Sequence, residues 1–416
     1  MSTEPSDNQY SPMDSFPAGL ARFVNKTVSF HFSGRELSFR LSHALFSSFD
    51  IDDGSRLLLK SIAQGIDLGA LRSALDIGCG VGVIGACIAS VAPEAVVVMQ
   101  DRDALAAAFA RENCHANGIE RVSAVCGLAF WGLGGRTFDL VMSNLPAKAG
   151  KPVLTSFFRH AAGCLAPQGV AAVVIVASLG SFARNTLSDL GCRIILLEES
   201  RGYTVIHFRA GSPGQETEAQ REDLSPYIRA AARFTSKGFS YSLQTAHSLP
   251  DFDSLGHAVE LSFDVLNGAA AADRVLVWNP GQGHLPVGLL ARPGQGTSLM
   301  ALASRDSLQC AIASLNLSSM GKPPASIHRL CSEADLGEAF PGGSFDQVIA
   351  VPNPIPRVPW QADLSAAAAC LLRPGGELFV VGTSTEIHRF LDHDHGLRPL
   401  ISRKHAGFRA AILRKP

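Results

Sequence analysis

The sequence predicts an α/β protein made of two tandem units. Each unit is a mostly parallel sheet with helices on both faces and an antiparallel hairpin at one edge. Three observations predict this. Helical and strand periodicities alternate from about residue 57 onward, a set of landmarks returns at near-constant spacing, and a polar segment divides the chain between the two sets.

In the first unit, Val24 to Leu41 alternates apolar and polar residues around Ser33-Gly34, the pattern of a β-hairpin. Leu57–Ile66 is amphipathic, Ser73–Ile77 reads as a strand and Gly82–Val91 as a helix. Strand Ala95–Met99, helix Ala104–Asn117 and strands Val122–Cys126 and Phe138–Ser143 come next. Helix Val153–Leu165 and strand Val170–Ala177 continue the alternation. Arg193–Glu199 and Tyr203–Arg209 are separated by only a short turn, which suits an antiparallel edge hairpin. The polar run from Gly211 to Asp223 reads as a linker.

Beyond it the pattern repeats. Asp76-Ile-Gly-Cys-Gly80 is echoed by Asn279-Pro-Gly-Gln-Gly283, and Asp101-Arg-Asp-Ala-Leu105 by Ser304-Arg-Asp-Ser-Leu308, both 203 residues on. Phe138-Asp139 returns as Phe345-Asp346, and Ala166-Pro-Gln-Gly169 as Arg373-Pro-Gly-Gly376, both 207 residues on. Such offsets mark an internal duplication. The expected division is a disordered tail over 1–20, a first unit over 21–210, a linker over 211–226 and a second unit over 227–416.

Bulk properties exclude several classes. A hydrophobic content of 46% with 18% charged residues describes a globular chain, and the longest apolar run, Gly169 to Leu179, is about half a membrane span. The N-terminal residues lack the basic and apolar regions of a signal peptide. Nine cysteines without a C-x-x-C pair fit reduced thiols, and with them a cytoplasmic location. A net charge of −1 gives no general basic surface for nucleic acid, although a local patch is compatible with it. His388, His393, Asp394 and His395 read as a solvated loop, and no metal site is expected.

The chemistry sits at two strand ends. Gly78, Gly80 and Gly82 follow a strand and open a helix, where glycine lets the backbone approach a ligand closely. Asp101 ends the next strand, where a carboxylate can accept both hydroxyls of a ribose. With Asp76 in front, Asp76-Ile-Gly-Cys-Gly-Val-Gly82 resembles the first motif of class I S-adenosylmethionine (SAM) methyltransferases. The resemblance implies that Asp76 serves the ammonium side of SAM and the backbone N–H groups its carboxylate. An acid that usually meets the adenine amino group is absent. Leu128 stands near that place and offers packing only, a loss of about 0.5–1.5 kcal/mol.

The second strand end reads Ser143-Asn144-Leu145-Pro146-Ala147-Lys148. Together with Ala44–Leu59 and the glycine loop, it resembles the methyltransferase small domain family. That family includes two-domain ribosomal RNA guanine-N2 methyltransferases and single-domain archaeal relatives. The resemblance covers roughly residues 24–210, with 235–416 as a degenerate copy, and implies Rossmann-like domains. Its catalytic stretch often reads Asn-Pro-Pro-x-x-Ala-Gly-Lys, which Asn144 to Lys151 matches except at Leu145. The Asn144 oxygen and the carbonyl of Leu145 are the two acceptors that would aim an amine's lone pair at a methyl carbon. Pro146 keeps its predecessor extended, so Leu145 is partly pre-organised.

Ala147 replaces an aromatic that would stack on a base, a loss of about 1–3 kcal/mol, for which Phe157, Phe158 or Trp131 are the substitutes at hand. In the second copy Asn279 and Ser304 replace the two acids, which fits a scaffold or substrate-binding domain. In the two-domain relatives the degenerate copy comes first, and here it comes second. The leading expectation is a SAM-dependent N-methyltransferase acting on RNA, most directly a ribosomal RNA guanine amino group. The same chemistry on a small molecule or protein amide, or a non-catalytic SAM-fold binding module, are the alternatives. The oligomeric state is open.

Overall fold

The computed structural model describes residues 18–211, 222–294, 296–393 and 396–416. Residues 1–17 of the expected tail, most of the linker, and Asp394 and His395 of the histidine cluster lie outside them.

After a short helix α1 (Ala18–Ala21), β1 (Lys26–Phe32) and β2 (Arg35–Leu41) form the expected hairpin, Phe32 opposite Arg35 across Ser33-Gly34. Leu37, Phe39 and Leu41 turn inward from β2, and the residues between them face outward. The sheet follows as α2 (Asp53–Gly65), β3 (Ser73–Ile77), α3 (Val83–Val91), β4 (Val96–Asp101), α4 (Ala104–Ala116), β5 (Val122–Cys126) and β6 (Phe138–Asn144). Then come α5 (Lys151–Gly163), β7 (Leu165–Val176), α6 (Gly180–Asp189), β8 (Arg193–Glu199) and β9 (Tyr203–Arg209).

Its strand order is β5-β4-β3-β6-β7-β9-β8, with the first five parallel and the last two antiparallel. Ala74 to Ile77 of β3 are all buried, as a central strand covered by helices on both faces requires. The sequence reading passed over α6. Its apolar spacing is helical, with Gly180, Ala183 and Leu187 buried, but Ser, Asn, Thr and Asp weaken its propensity signal.

The second half repeats this architecture. Hairpin β10 (Ile228–Ser236) and β11 (Phe239–Ala246) precedes α7 (His257–Leu266), β12 (Arg274–Trp278), α8 (His284–Ala291), β13 (Leu299–Ser304) and α9 (Ser307–Ser319). Strand β14 (Ser326–Arg329), α10 (Leu336–Ala339), β15 (Phe345–Ala350), α11 (Trp360–Leu371), β16 (Leu372–Thr383), α12 (Ser384–Leu391), β17 (Arg398–His405) and β18 (Phe408–Arg414) complete it. The order β14-β13-β12-β15-β16-β18-β17 is the same topology.

Buried polar devices recur as well. Asn113 on α4 accepts from Arg40 N and donates to Val81 O, tying hairpin to glycine loop. Asn316 on α9 does the same between Gln244 N and Gln282 O. Asp139 accepts from Arg72 N and Ser73 N, and Asp346 from Asp273 N and Arg274 N. A carboxylate that accepts two backbone N–H groups is expensive to lose, whether half-buried as Asp139 or buried as Asp346, so the repeated Phe-Asp landmark has a structural reason in both halves.

The halves meet through equivalent residues. Asp103 and Asp306 form an isolated antiparallel bridge, with Ala104 N donating to Arg305 O and Ser307 N to Arg102 O. Arg305 pairs with Asp103, and Arg102 reciprocally with Asp306. Leu128, Tyr227, Ala246, Leu249, Leu308 and Ile312 form an apolar cluster across the same seam. Reciprocal contacts between equivalent positions describe a pseudo-two-fold axis, the geometry of an isologous dimer in one chain. No helix among the described residues is long and apolar enough to cross a membrane. All nine cysteines are unpaired.

Candidate active site

The cavity lies at the carboxyl ends of β3, β4, β5 and β6, where the strand order reverses and open α/β sheets bind ligands. Its volume is about 820 Å³, within the range of cofactor-sized pockets.

The glycine loop forms its floor. Gly78, Gly80 and Gly82 have φ of +74°, +54° and +88°. Gly78 and Gly80 line the cavity, and a Cβ there would meet nothing within 4 Å. Gly82 has a different reason. Its Cβ would lie 2.8 Å from Ala110 Cα, so glycine there permits α3 to pack on α4.

Asp101 faces the cavity, where its carboxylate accepts from Gly80 N and Asp103 N, both at 2.9 Å. Burial raises its pKa to about 6, against the opposing pull of those bonds. Asp76 is placed otherwise than expected. It is fully buried and absent from the cavity wall, its Oδ2 accepting from Gly85 N of α3 at 2.9 Å. Side chains alternate along β3, and position 76 points beneath α3, so the carboxylate braces the loop from behind. Its Oδ1 has no partner among the described residues, and burial pushes its pKa to about 7.

Leu128 lies on the wall, and its side chain also belongs to the apolar seam between the halves. The adjoining segment is held by Gln100, whose Nε2 donates to Ala129 O and Trp131 O.

Asn144, Leu145 and Pro146 line the same cavity at the end of β6. The Asn144 Nδ2 donates to Asp52 Oδ1 at 2.9 Å and to Ser55 Oγ at 3.2 Å. Asp52 is the N-cap of α2 and also accepts from Ser55 N. Both amide protons of Asn144 are thereby engaged, and its oxygen has no donor among the described residues. The Leu145 N–H donates to Val174 O, which fixes the strand end, while the Leu145 side chain is buried.

Asp52 and Ser55 escaped the sequence reading as site residues. Their signal was present as a helix start, Asp-x-x-Ser before an amphipathic run, and nothing in it connects them to position 144. The suggested substitute aromatics separate. Trp131 lines the cavity, Phe157 lines it but is packed against Phe130, and Phe158 is in the core. Lys148 is on the wall, whereas Lys151 lies over the Phe182 ring. The second half contributes Tyr227, Ser248, Leu249 and Phe252, for which the sequence held no signal.

In the second half, the left-handed triplet is Asn279, Gly281 and Gly283, with φ of +56°, +57° and +97°. The loop is therefore offset by 201 residues, and the offset of 203 begins only after α8. Asn279 stands where Gly78 does, Gly283 where Gly82 does, and Val277 takes the place of Asp76. Asparagine is among the few residues that tolerate that conformation. Ser304, at the place of Asp101, is buried and donates to Asn279 Oδ1. The corresponding cavity is only about 110 Å³ and is lined in part by the Arg305–Asp103 pair. Away from both cavities, His257, Glu260 and His405 bring ligand atoms within 4.8 Å of one another on the surface of the second half.

The family model described as methyltransferase small domain matches residues 36–207. The uncharacterized protein YbxB of Bacillus subtilis (strain 168) is 30% identical over 183 residues, which are 44% of this chain and 90% of that one. The chain belongs to the methyltransferase small domain family.

Among further similar proteins, ribosomal RNA small subunit methyltransferase C of Haemophilus influenzae (strain PittGG) is 36% identical over 106 residues, 26% of this chain. Ribosomal RNA large subunit methyltransferase G of Streptomyces avermitilis is 31% identical over 115 residues, 27% of this chain. The match spans about 30% of the length of each of these two relatives. Among solved structures, the 16S rRNA N2 methyltransferase RsmC of T. thermophilus, in complex with AdoMet and guanosine, superposes with a TM-score of 0.63 at 19% identity. That alignment covers 94% of this chain and 98% of RsmC, so the tandem arrangement of both halves is a shared fold. The match to the methyltransferase small domain lies within the first half, the half that supplies most of the cavity wall.

Proposed function

We propose that the chain is a SAM-dependent N-methyltransferase whose acceptor is an exocyclic amine of an RNA base, most directly the N2 amine of a ribosomal RNA guanine. The observation that carries this reading is the Asn144 amide, held through both its protons by Asp52 and Ser55 so that its oxygen is left for an incoming donor.

The residues present suit the cofactor. Asp101 offers a carboxylate for ribose hydroxyls, Gly78 and Gly80 leave the backbone open to a methionine carboxylate, and Leu128 gives an apolar face to adenine. SAM supplies an electrophilic methyl carbon on a sulfonium, so the protein's task is positioning. An amine donating one proton to Asn144 Oδ1 and the other to the Leu145 carbonyl is held with its lone pair directed away from both. Asp52 and Ser55 prevent the amide from turning over and presenting its NH₂ instead. Asp76 acts indirectly, through α3 and the loop in front of it.

The relatives named as ribosomal RNA methyltransferases, and the neighbour solved with guanosine, support RNA as the substrate class. The same names support a cytoplasmic activity directed at the ribosome. The test is transfer of tritium from methyl-labelled SAM into fractions of a cell extract by the full chain. Label in ribosomal RNA at guanine N2 is the expected result. Label confined to protein or small molecules overturns the RNA reading and keeps the methyltransferase.

A further inference from the structure

The wall of the cavity belongs to both halves, and the part supplied by the second half carries its most unusual residue. Phe252 is 52% exposed and has φ of +41°, a conformation that a bulky side chain rarely adopts. Ser248 and Asp251, in the same loop, are also left-handed, at +64° and +70°. Such strain persists only where surrounding structure over-determines it, and it gathers at ligand sites.

The over-determining residue is Gln282, 1% exposed, whose Nε2 donates to Pro250 O at 2.8 Å and to Phe252 O at 2.9 Å. Its Oε1 accepts from Ala246 N. Gln282 sits between Gly281 and Gly283 in the remnant glycine loop, so a loop shaped like a cofactor cradle now holds a side-chain-bearing turn. The Arg229 guanidinium lies 5.0 Å from the Phe252 centroid and is itself tied to Asp253. From the catalytic half, Phe46 reaches the same cavity and is 72% exposed. Two large apolar rings, one from each half, are thus kept in solvent around the cleft that contains Asn144, whose own loop has Ala147 in place of an aromatic.

We infer that Phe252 is the stacking face for the flat heteroaromatic base whose amine Asn144 orients, with Phe46 as the second ring. The second half then supplies substrate grip to a site whose methyl-transfer residues all lie in the first half. This rests on the amine-methylation reading above. Arg229 beneath the ring strengthens its attraction for a base by adding a cation to the stack.

The test uses the full chain, methyl-labelled SAM and an unmodified small-subunit ribosomal RNA transcript. Phe252→Leu keeps an apolar side chain and removes the π face. It is expected to raise the KM for RNA about tenfold, within the range that one base–aromatic stack supplies. SAM affinity and the unfolding midpoint stay at wild-type values, Phe252→Tyr restores the KM, and Phe46→Leu raises it to a smaller extent. An unchanged KM in Phe252→Leu, while the wild-type chain methylates the RNA, overturns the inference and leaves the proposed function standing. A Phe252→Leu protein that also loses SAM binding and melts lower overturns it in favour of a packing role. A wild-type chain that binds SAM and transfers no label to RNA overturns both.

Discussion

In the proposed mechanism Asn144 orients the acceptor amine, and its neighbours determine what it can do. A side-chain amide offers an acceptor and two donors, and the cleft needs the acceptor. Asp52 and Ser55 take both donors. Asn144→Ala is therefore expected to lower kcat roughly 10²-fold with SAM affinity unchanged, since loss of reacting geometry has about that effect. Asp52→Ala is expected to lower kcat in the same direction and to destabilise α2 by about 1 kcal/mol through its lost cap. Single-turnover kinetics and urea unfolding read the two effects separately.

Asp101 makes the cleft pH-sensitive. Burial raises its pKa to about 6, with Asp103 adding to the rise and Arg102 opposing it. If Asp101 holds the ribose as proposed, the hydroxyls donate to its ionised carboxylate, and SAM affinity is expected to fall about tenfold per pH unit below pH 6. Calorimetry across pH 5 to 8 tests this, and Asp101→Asn should bind weakly at every pH without the slope. For the free protein the sign is opposite. The folded state holds the protons of Asp76 and Asp101 more tightly than the unfolded chain, so their contribution to stability is present below about pH 4 and is lost as pH rises through 6 to 7.

At the scale of elements, the glycine loop and the helices behind it form one packed unit. Gly82 lets α3 approach α4, and both its φ and the 2.8 Å approach to Ala110 exclude a Cβ. Gly82→Ala is expected to destabilise the fold by about 2–4 kcal/mol, by adding a left-handed alanine to an overpacked contact. Denaturant midpoints would show it, and a loss below 0.5 kcal/mol would mean that the helices slide apart freely. Much of this unit was legible beforehand, because a strand–glycine–helix order states its own geometry. The bracing role of Asp76 was not legible, since the motif's spacing does not say on which side of the strand the carboxylate lies. The register of the second loop was misread for a related reason. Asn279 resembles Asp76 in chemistry, yet it occupies the left-handed place of Gly78.

At the scale of the whole molecule, the reciprocal pairs Arg305–Asp103 and Arg102–Asp306 hold the halves about a pseudo-two-fold axis. Duplication and fusion of one unit would leave such a geometry. Arg305 is the more buried member of its pair, and its Nη1 has no partner among the described residues. Asp103→Ala is expected to cost about 3 kcal/mol, since it strands a buried cation, whereas the Asp103→Ala/Arg305→Ala double variant should recover part of that loss. A double-mutant cycle by urea unfolding measures the coupling, and additive losses would remove the pair from the interface's energetics.

The sequence by itself determined the two α/β halves and set the glycine loop, Asp101 and the Asn144-Leu145-Pro146 stretch at neighbouring strand ends. Each is local, written in periodicity or in a few consecutive residues that fold onto themselves. Only the tertiary structure decided that Asp52 orients Asn144, that Asp76 stands behind the loop, and that Phe252 enters the cleft from the other half. The first and last of these join residues about 90 to 200 positions apart, distances closed by packing across strands and across the pseudo-two-fold seam, while Asp76 lies nine residues from Gly85 and its side is set by which face of β3 packs under α3.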